Sequence, residues 1–421
     1  RQQLGSIADG ILSHNRAIII PQDDSVLRLS PVHRQTLLLR RSRGLAPNFF
    51  LPPTEGRKPA PEMPPRLALG GDLKSAFAWQ LRGNTYISQY LGELGSFETQ
   101  ETFEHTLRHL LNLFRDRPEG VVVDKHPHYF STQLGRRLAL EWQVPVFSVQ
   151  HHRAHFAAVL AEHGFAPGLE TPDQPVLGVV WDGTGYGDDG QVWGGEFFLW
   201  NADGISRTGH FEPFDFFLGD KMPREPRLSA LSLAHLAGQG PAGLQKKFDS
   251  REWDLYQKIL GQGGLLHTTS VGRLFDGVAA LLGLIDRSSY EGQAALLLEQ
   301  AAGRFFRKNG LRALEPYPLE APHSTLAPTG ALVRAVLQDR EAGVPVEKVA
   351  ARFHRTLIDI VRLQARQNAC TTLAFSGGVW QNALLVDLAI EHLQPEFRLL
   401  FHRQLSPNDE SIALGQLHLS G

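Results

Sequence analysis

The sequence predicts an α/β chain made of two related lobes. Three observations predict it. A short apolar strand that runs into a Gly/Asp segment and then a second strand occurs twice, as LALGGDLKSAFAW from Leu67 and as VVWDGTGYGDDGQVW from Val179. A late apolar strand, Leu373–Ser376, passes through Gly377 and Gly378 into an apolar helix. Between these, strand-like runs alternate with stretches of helical spacing, the pattern of strands packed against helices.

The elements follow in order. Residues 1–50 hold one helical turn pattern, the run Ala17–Ile20, a DDS turn and the basic strand LLLRRSRG, too little to bury a core alone. Residues 51–65, LPPTEGRKPAPEMPP, are Pro-rich and polar and read as a linker. The first lobe spans 66–175. It opens with the strand Leu67–Leu69 and the turn GGDLK, and continues with strands Phe77–Trp79 and Thr85–Ser88. A helix follows over Glu98–Phe114, with Phe103, Leu107, Leu110, Leu111 and Phe114 on one face. The strand Gly120–Val123 ends at Asp124, and the strand Val144–Val149 feeds straight into the helix HHRAHFAAVLAEHGF. The second lobe spans 176–421. The strand Val176–Trp181 ends in DGTGYGDDG, read as a turn, and QVWGGEFFLW follows as a strand. A mainly helical part has helices near 223–237, 270–284, 291–308 and 345–368. Strand Leu373–Ser376, helix 379–393, strand Arg398–His402 and a closing helix from Pro407 complete the lobe.

Composition narrows the function. The chain has 421 residues, a formal net charge of -2 and one cysteine, Cys370. An internal disulfide and a cysteine zinc site are excluded, which points to the cytoplasm. Near-neutral charge without a basic run argues against a nucleic-acid partner. No apolar run approaches the roughly 18 residues of a membrane span; the longest, Gly277–Ile285, lies inside a helical pattern. The first residues, RQQLGSIADG, lack both a leading Met and a signal-peptide pattern, and read as a chain cut from something longer.

The chemistry-bearing residues cluster at element ends. His151 and His155 stand at i and i+4 and share one helix face, the spacing of two ligands on one metal. His152 lies off that face. The bland alternative is a polar helix face with satisfied histidines. Asp182 ends a strand and Asp409 starts the last helix, so either carboxylate is placed to complete a metal shell; alternatively they are a turn residue and a first-turn acid. Gly183, Thr184, Gly185 and Gly187 offer a tight turn that a phosphate can approach, or else an ordinary glycine hairpin. Gly377 and Gly378 fit a strand–turn–helix that admits a base or ribose. Lys74 in GGDLK is a phosphate candidate or a solvated lysine. His126 and His128 in KHPHY are cleft candidates, and Cys370 is read as a small core residue. Two lobes with glycine-rich hairpin tips fit the actin-like and sugar-kinase type of ATPase fold, in which a nucleotide lies between the lobes. That analogy does not fix the reaction.

The motifs LALGGDLKSAFA, YISQYLGEL, DKHPHYFST, VQHHRAH, WDGTGYG, VWGGE, GRLFDGVAALLG, YEGQAA, FSGGVWQN and SPNDESIALGQ occur in that order. They resemble the C-terminal, TsaD-like module of the HypF family of [NiFe]-hydrogenase maturation carbamoyltransferases, over about residues 66–419. HNRAIIIPQDDSVLR and LLLRRSRGLAP resemble the tail of that family's YrdC-like α+β domain. The resemblance implies that a carbamoyl group passes from carbamoyl adenylate, made from ATP and a carbamoyl phosphate-derived carbamate, to the C-terminal Cys of HypE. It implies a divalent metal, iron or zinc, on His151, His155, Asp182 and Asp409. It assigns phosphate to Gly183, Thr184 and Gly185, adenosine to Gly377, Gly378 and Asn382, and the nucleoside side of the cleft to Asp220 and Glu225. The sequence departs from the pattern at 218–230, where GGDxxxREPWR reads LGDKMPREPRLSA, and at Ser75, where Asn is expected. Other readings are a degenerate nucleotide- or partner-binding scaffold, a TsaD-like tRNA threonylcarbamoyl transferase and a small-molecule kinase. HHRAH and the YrdC-like tail argue against the tRNA enzyme, and no general base for a kinase is evident.

Overall fold

The computed structural model describes residues 5–13, 15–46, 48–51, 64–166, 171–238, 243–319 and 325–420. Most of the expected linker, 52–63, lies outside the described residues.

Two sheets carry the two lobes, and they share one strand order. In the first lobe the strand Arg66–Ala68 pairs antiparallel with Ala78–Leu81, which pairs with Asn84–Ile87; on its other side it pairs parallel with Gly120–Asp124, and that with Val146–Val149. In the second lobe the strand Val176–Tyr186 pairs antiparallel with Val192–Asn201, which pairs with Gly204–Phe211; on its other side lie Thr372–Ser376 and Arg398–Leu400, both parallel. The order third, second, first, fourth, fifth therefore recurs, and the duplication suggested by the two openings is a duplication of topology.

Alternation along the strands splits each sheet between two cores. In the first lobe Leu67, Phe77, Trp79 and Val121 pack under the helices Phe97–Phe114 and Phe130–Trp142 through Phe103, Leu107 and Leu134. The opposite face, with Ala68, Ala78 and Val122, packs on Ala154 and Ala158 of the helix His151–Glu162 and on Ile412 and Leu414 of the closing helix Ile412–Leu419. In the second lobe Val176, Val180 and Phe198 pack on Phe156, Val159 and Leu160 of the same histidine helix. The helix thus lies between the two sheets, and its residues, polar ones included, are buried almost all round.

Several expectations are corrected. The helices Phe130–Trp142, Ser250–Gln262 and Thr329–Glu341 are additional. The helix expected over 223–237 is broken into Lys221–Arg224 and Pro226–Leu236, because Pro226 takes the first-turn position of the second helix. The closing helix, expected with the second lobe, packs on the sheet of the first. There Gly415 lets it reach the histidine helix, since a Cβ would stand 1.8 Å from the Ala154 carbonyl oxygen. The strand Asn48–Phe50 joins the edge of the first sheet, ahead of the start expected at residue 66. Upstream, Val26–Leu29 and Thr36–Arg40 form a two-stranded ribbon. It docks on the second lobe through Arg28 to Glu299 at 2.6 Å and through the Val32 and His33 N–H groups to Asp387 at 2.8 and 2.9 Å. Among the described residues no helix is long and apolar enough to cross a membrane.

Candidate metal centre

The histidine helix starts where the strand Val146–Val149 ends. Gln150 caps it by accepting the Arg153 N–H. One helical turn brings the His151 and His155 rings to 5.1 Å. Asp182 enters from the strand Val176–Tyr186, and Asp409 from the turn Asp409–Ser411, which Asn408 caps. His151 Nε2 lies 3.6 Å from Asp182 Oδ2 and 3.9 Å from Asp409 Oδ2. His155 Nε2 lies 3.7 Å from Asp182 Oδ2 and 3.5 Å from Asp409 Oδ1. One donor atom from each of the four residues falls within 4.8 Å of the others, and all four residues are buried.

Those separations are too long for hydrogen bonds. They are near the spacing that four donors adopt around one ion, since tetrahedral bonds of roughly 2.1 Å put ligands about 3.4 Å apart. The Nε2 atoms of His151 and His155 are buried and without hydrogen-bond partners. A buried polar atom left this way needs an ion or water to satisfy it. The residues therefore fit a divalent cation of the iron or zinc kind, held by two imidazoles and two carboxylates.

The electrostatics agree. Burial alone would lower His151, but Asp124, Asp182 and Asp409 outweigh it and hold the imidazole well above the usual histidine range. Burial works against His155 too, and Asp182 and Asp409 raise it. Burial would raise Asp182, yet His151 and His155 hold it well below the usual carboxylate range. The two imidazoles are thus drawn toward their charged form at the place where a cation would be held. His152 goes the other way, pushed well down by burial and by His151.

Asp124 orients the first ligand. Its Oδ2 lies 2.9 Å from His151 Nδ1, and its Oδ1 accepts the His126 N–H at 2.8 Å. A carboxylate on the far nitrogen fixes the ring and the tautomer of a ligand histidine. The sequence placed Asp124 at a strand end without giving it a role; an acid closing an apolar strand was the available signal. His126 stacks on Tyr129 with ring centroids 4.1 Å apart, and its neighbour His128 is exposed.

The remaining candidates fall in several places. Gly183, Thr184 and Gly185 do not form a turn: they continue the strand, with Gly185 opposite Trp193, and the reversal comes at 187–191. Gly185 is needed for packing, because a Cβ would stand 2.4 Å from His152 Cε1 and 2.8 Å from His151 Cδ2. A Cβ at Gly183 would meet nothing within 4 Å, so its backbone borders open space. Gly377 has φ +98° and a Cβ there would lie 2.1 Å from the Trp181 carbonyl oxygen. The Gly378 N–H donates to Asp182 Oδ1 at 3.0 Å. Asn382 caps the helix Ala383–Leu393 through Leu385 N, and its Nδ2 lies 3.1 Å from His354 Nε2. Lys74 pairs with Glu291 of the second lobe, a residue the sequence had not singled out. Asp220 is exposed, whereas Glu225 is bound by Arg227 at 2.6 Å. Leu218 stands where the family pattern has glycine, and its φ of 61° is one that costs an L-residue roughly 1 kcal/mol. Cys370 is buried, and burial pushes its thiol up to about 11.

Comparison with known proteins places this geometry. Residues 61–162 match the HypF Kae1-like domain, and residues 178–416 match the carbamoyltransferase Kae1-like domain, second subdomain. Carbamoyltransferase HypF of Synechocystis sp. is 37% identical over 435 residues, covering 99% of this chain and 54% of that protein. The chain thus spans about half the length of that relative, and likewise 54% of the HypF of Rhodobacter capsulatus. A HypF homolog of Cupriavidus necator is 32% identical over 84% of this chain and 90% of its own length. The crystal structure of full-length HypF in the phosphate- and nucleotide-bound form superimposes with a TM-score of 0.84 at 29% identity, over 99% of this chain and 63% of that one. The two matched ranges contain His151 and His155 in one and Asp182 and Asp409 in the other, and the chain belongs to the HypF carbamoyltransferase family.

Proposed function

We propose that this chain transfers a carbamoyl group from carbamoyl adenylate to the C-terminal Cys of HypE, with divalent iron or zinc on His151, His155, Asp182 and Asp409. The observation that carries the reading is the pair of buried, partnerless Nε2 atoms facing two carboxylates in a chain of this family. In the reaction the HypE thiolate attacks the carbamoyl carbon. A C–S bond forms, the bond from that carbon to the phosphate oxygen breaks, and AMP leaves with the electron pair. When bound, the metal supplies Lewis-acid polarisation of the carbamoyl carbonyl.

The chain's own residues bind and orient. The backbone at Gly183, Thr184 and Gly185 takes the phosphate, and Lys74 exchanges Glu291 for it. Gly377, Gly378 and Asn382 border the adenosine, with Asp220 and Glu225 on the nucleoside side. Making the adenylate from ATP and a carbamoyl phosphate-derived carbamate falls to a YrdC-like domain, of which the residues before Asn48 are read as the tail. No nucleic acid or membrane takes part, and the cytoplasm is the site of action. The scaffold alternative gives no reason to keep four metal donors together in a buried cluster.

The test is the intact mass of HypE after incubation with this chain, ATP, carbamoyl phosphate and an added adenylate-forming module, beside a chelator-treated control. A carbamoyl mass gain that needs both this chain and its metal is expected. No gain, with the module shown to make adenylate, would overturn the reading.

A further inference from the structure

His151 is oriented from the first lobe by Asp124, and His155 is held from the second by a longer chain of buried groups. His155 Nδ1 lies 3.3 Å from Ser376 Oγ, and Ser376 Oγ lies 2.8 Å from His402 Nε2. His402 Nδ1 lies 2.5 Å from Glu162 Oε1. The other oxygen, Glu162 Oε2, accepts the Arg403 N–H at 2.7 Å and the Gln404 N–H at 2.6 Å. Ser376, His402 and Glu162 are all buried. Glu162 lies two turns beyond His155 on the same helix, so the chain of contacts leaves that helix, crosses the ends of two neighbouring strands and returns to it.

We infer that Glu162, His402 and Ser376 are positioning residues that decide which nitrogen of His155 keeps its proton. The inference rests on the metal reading above. Glu162 already takes two N–H groups on one oxygen and acts as acceptor toward His402, so His402 Nδ1 carries the proton. In the neutral imidazole, His402 Nε2 then accepts the Ser376 hydroxyl, and Ser376 Oγ has a lone pair left for His155 Nδ1–H. With Nδ1–H held in this way, the lone pair of His155 Nε2 points toward Asp182 and Asp409. Were every donor in the chain reversed, Nδ1 would be an acceptor and the proton would sit on Nε2, closing the ligand. A carboxylate behind a metal-binding histidine has this effect directly; here it acts through a second histidine and a hydroxyl, which lets the second lobe set the ligand on a helix packed against both.

Cobalt(II) and zinc titrations of the whole chain against a chromophoric chelator would test the inference, with the cobalt visible spectrum as a second readout. Ser376→Ala and His402→Phe are expected to lower metal affinity about 10- to 100-fold and to shift the cobalt bands; chelated Ser376→Ala should stay folded, whereas His402→Phe, which leaves buried Glu162 without its partner, should also melt lower. Ser376→Thr, which keeps the hydroxyl, is expected to restore both. Wild-type affinity and spectrum in Ser376→Ala and His402→Phe would overturn the positioning role alone. A wild-type chain that binds neither ion would overturn the metal reading, and this inference with it.

Discussion

Lys74 Nζ lies 2.6 and 2.7 Å from the two carboxylate oxygens of Glu291, an ion pair that joins the first lobe to the second. Lys74 is mostly covered and Glu291 largely exposed. Burial alone would lower the lysine, but Glu291 and Asp409 outweigh it and raise its pKa. If Lys74 binds phosphate as proposed, the phosphate takes it from Glu291. Glu291→Gln is expected to tighten AMP binding several-fold, and Lys74→Met to weaken it about tenfold, the scale of one partly covered ion pair. Calorimetric titration with AMP measures both; equal affinity in all three proteins would remove Lys74 from the phosphate site.

His155→Ala and Asp409→Asn are expected to leave the chain without detectable metal by elemental analysis. His155→Ala should also cost the metal-free fold about 3 kcal/mol in urea denaturation, because Asp182 loses a buried counter-charge. Full metal occupancy in either variant would disprove the ligand set.

The pH dependence of the metal-free protein follows from the raised values of His151 and His155. A folded-state pKa above the unfolded one stabilises below the ordinary histidine range and loses that stability as pH rises through the folded value. Chelated protein should therefore melt at falling temperatures from neutral pH upward, while metal-loaded protein, whose cation replaces those protons, should hold its melting point. Parallel curves with and without chelator would contradict this.

Gly185→Ala tests the close packing behind the ligands. Its Cβ would enter the space of the His152 and His151 rings, so metal affinity should fall at least tenfold with a loss of about 1–3 kcal/mol in stability. Gly183→Ala meets open space and should fold normally. A weakened affinity of that variant for AMP would place phosphate at this backbone, and an unchanged one would place it elsewhere.

The two lobes were readable because strand, glycine segment and strand recurred; helical spacing and element ends offered His151, His155, Asp182 and Asp409 as candidates, and only the family resemblance joined them as one ligand set. The reading of DGTGYG as a turn failed for a physical reason. Glycine density signals a reversal, but the strand continues through an irregular register at 182–184, and Gly185 lets it lie against His152. Helical periodicity in the last segment gave a buried face without saying against what, so the placement of the closing helix on the first lobe needed the fold. Glu162, His402 and Ser376 were not legible at all, since nothing local marks groups that meet only across the tertiary structure.

Asp409 is made long after His151, His155 and Asp182. At roughly 5–20 residues per second of synthesis, on the order of ten seconds or more separate the third donor from the fourth on the ribosome. A nascent chain in that interval has two histidines and one carboxylate and lacks the helix that seals them. A metal held by all four donors would therefore be bound only after Asp409 and the helix Ile412–Leu419 have been made.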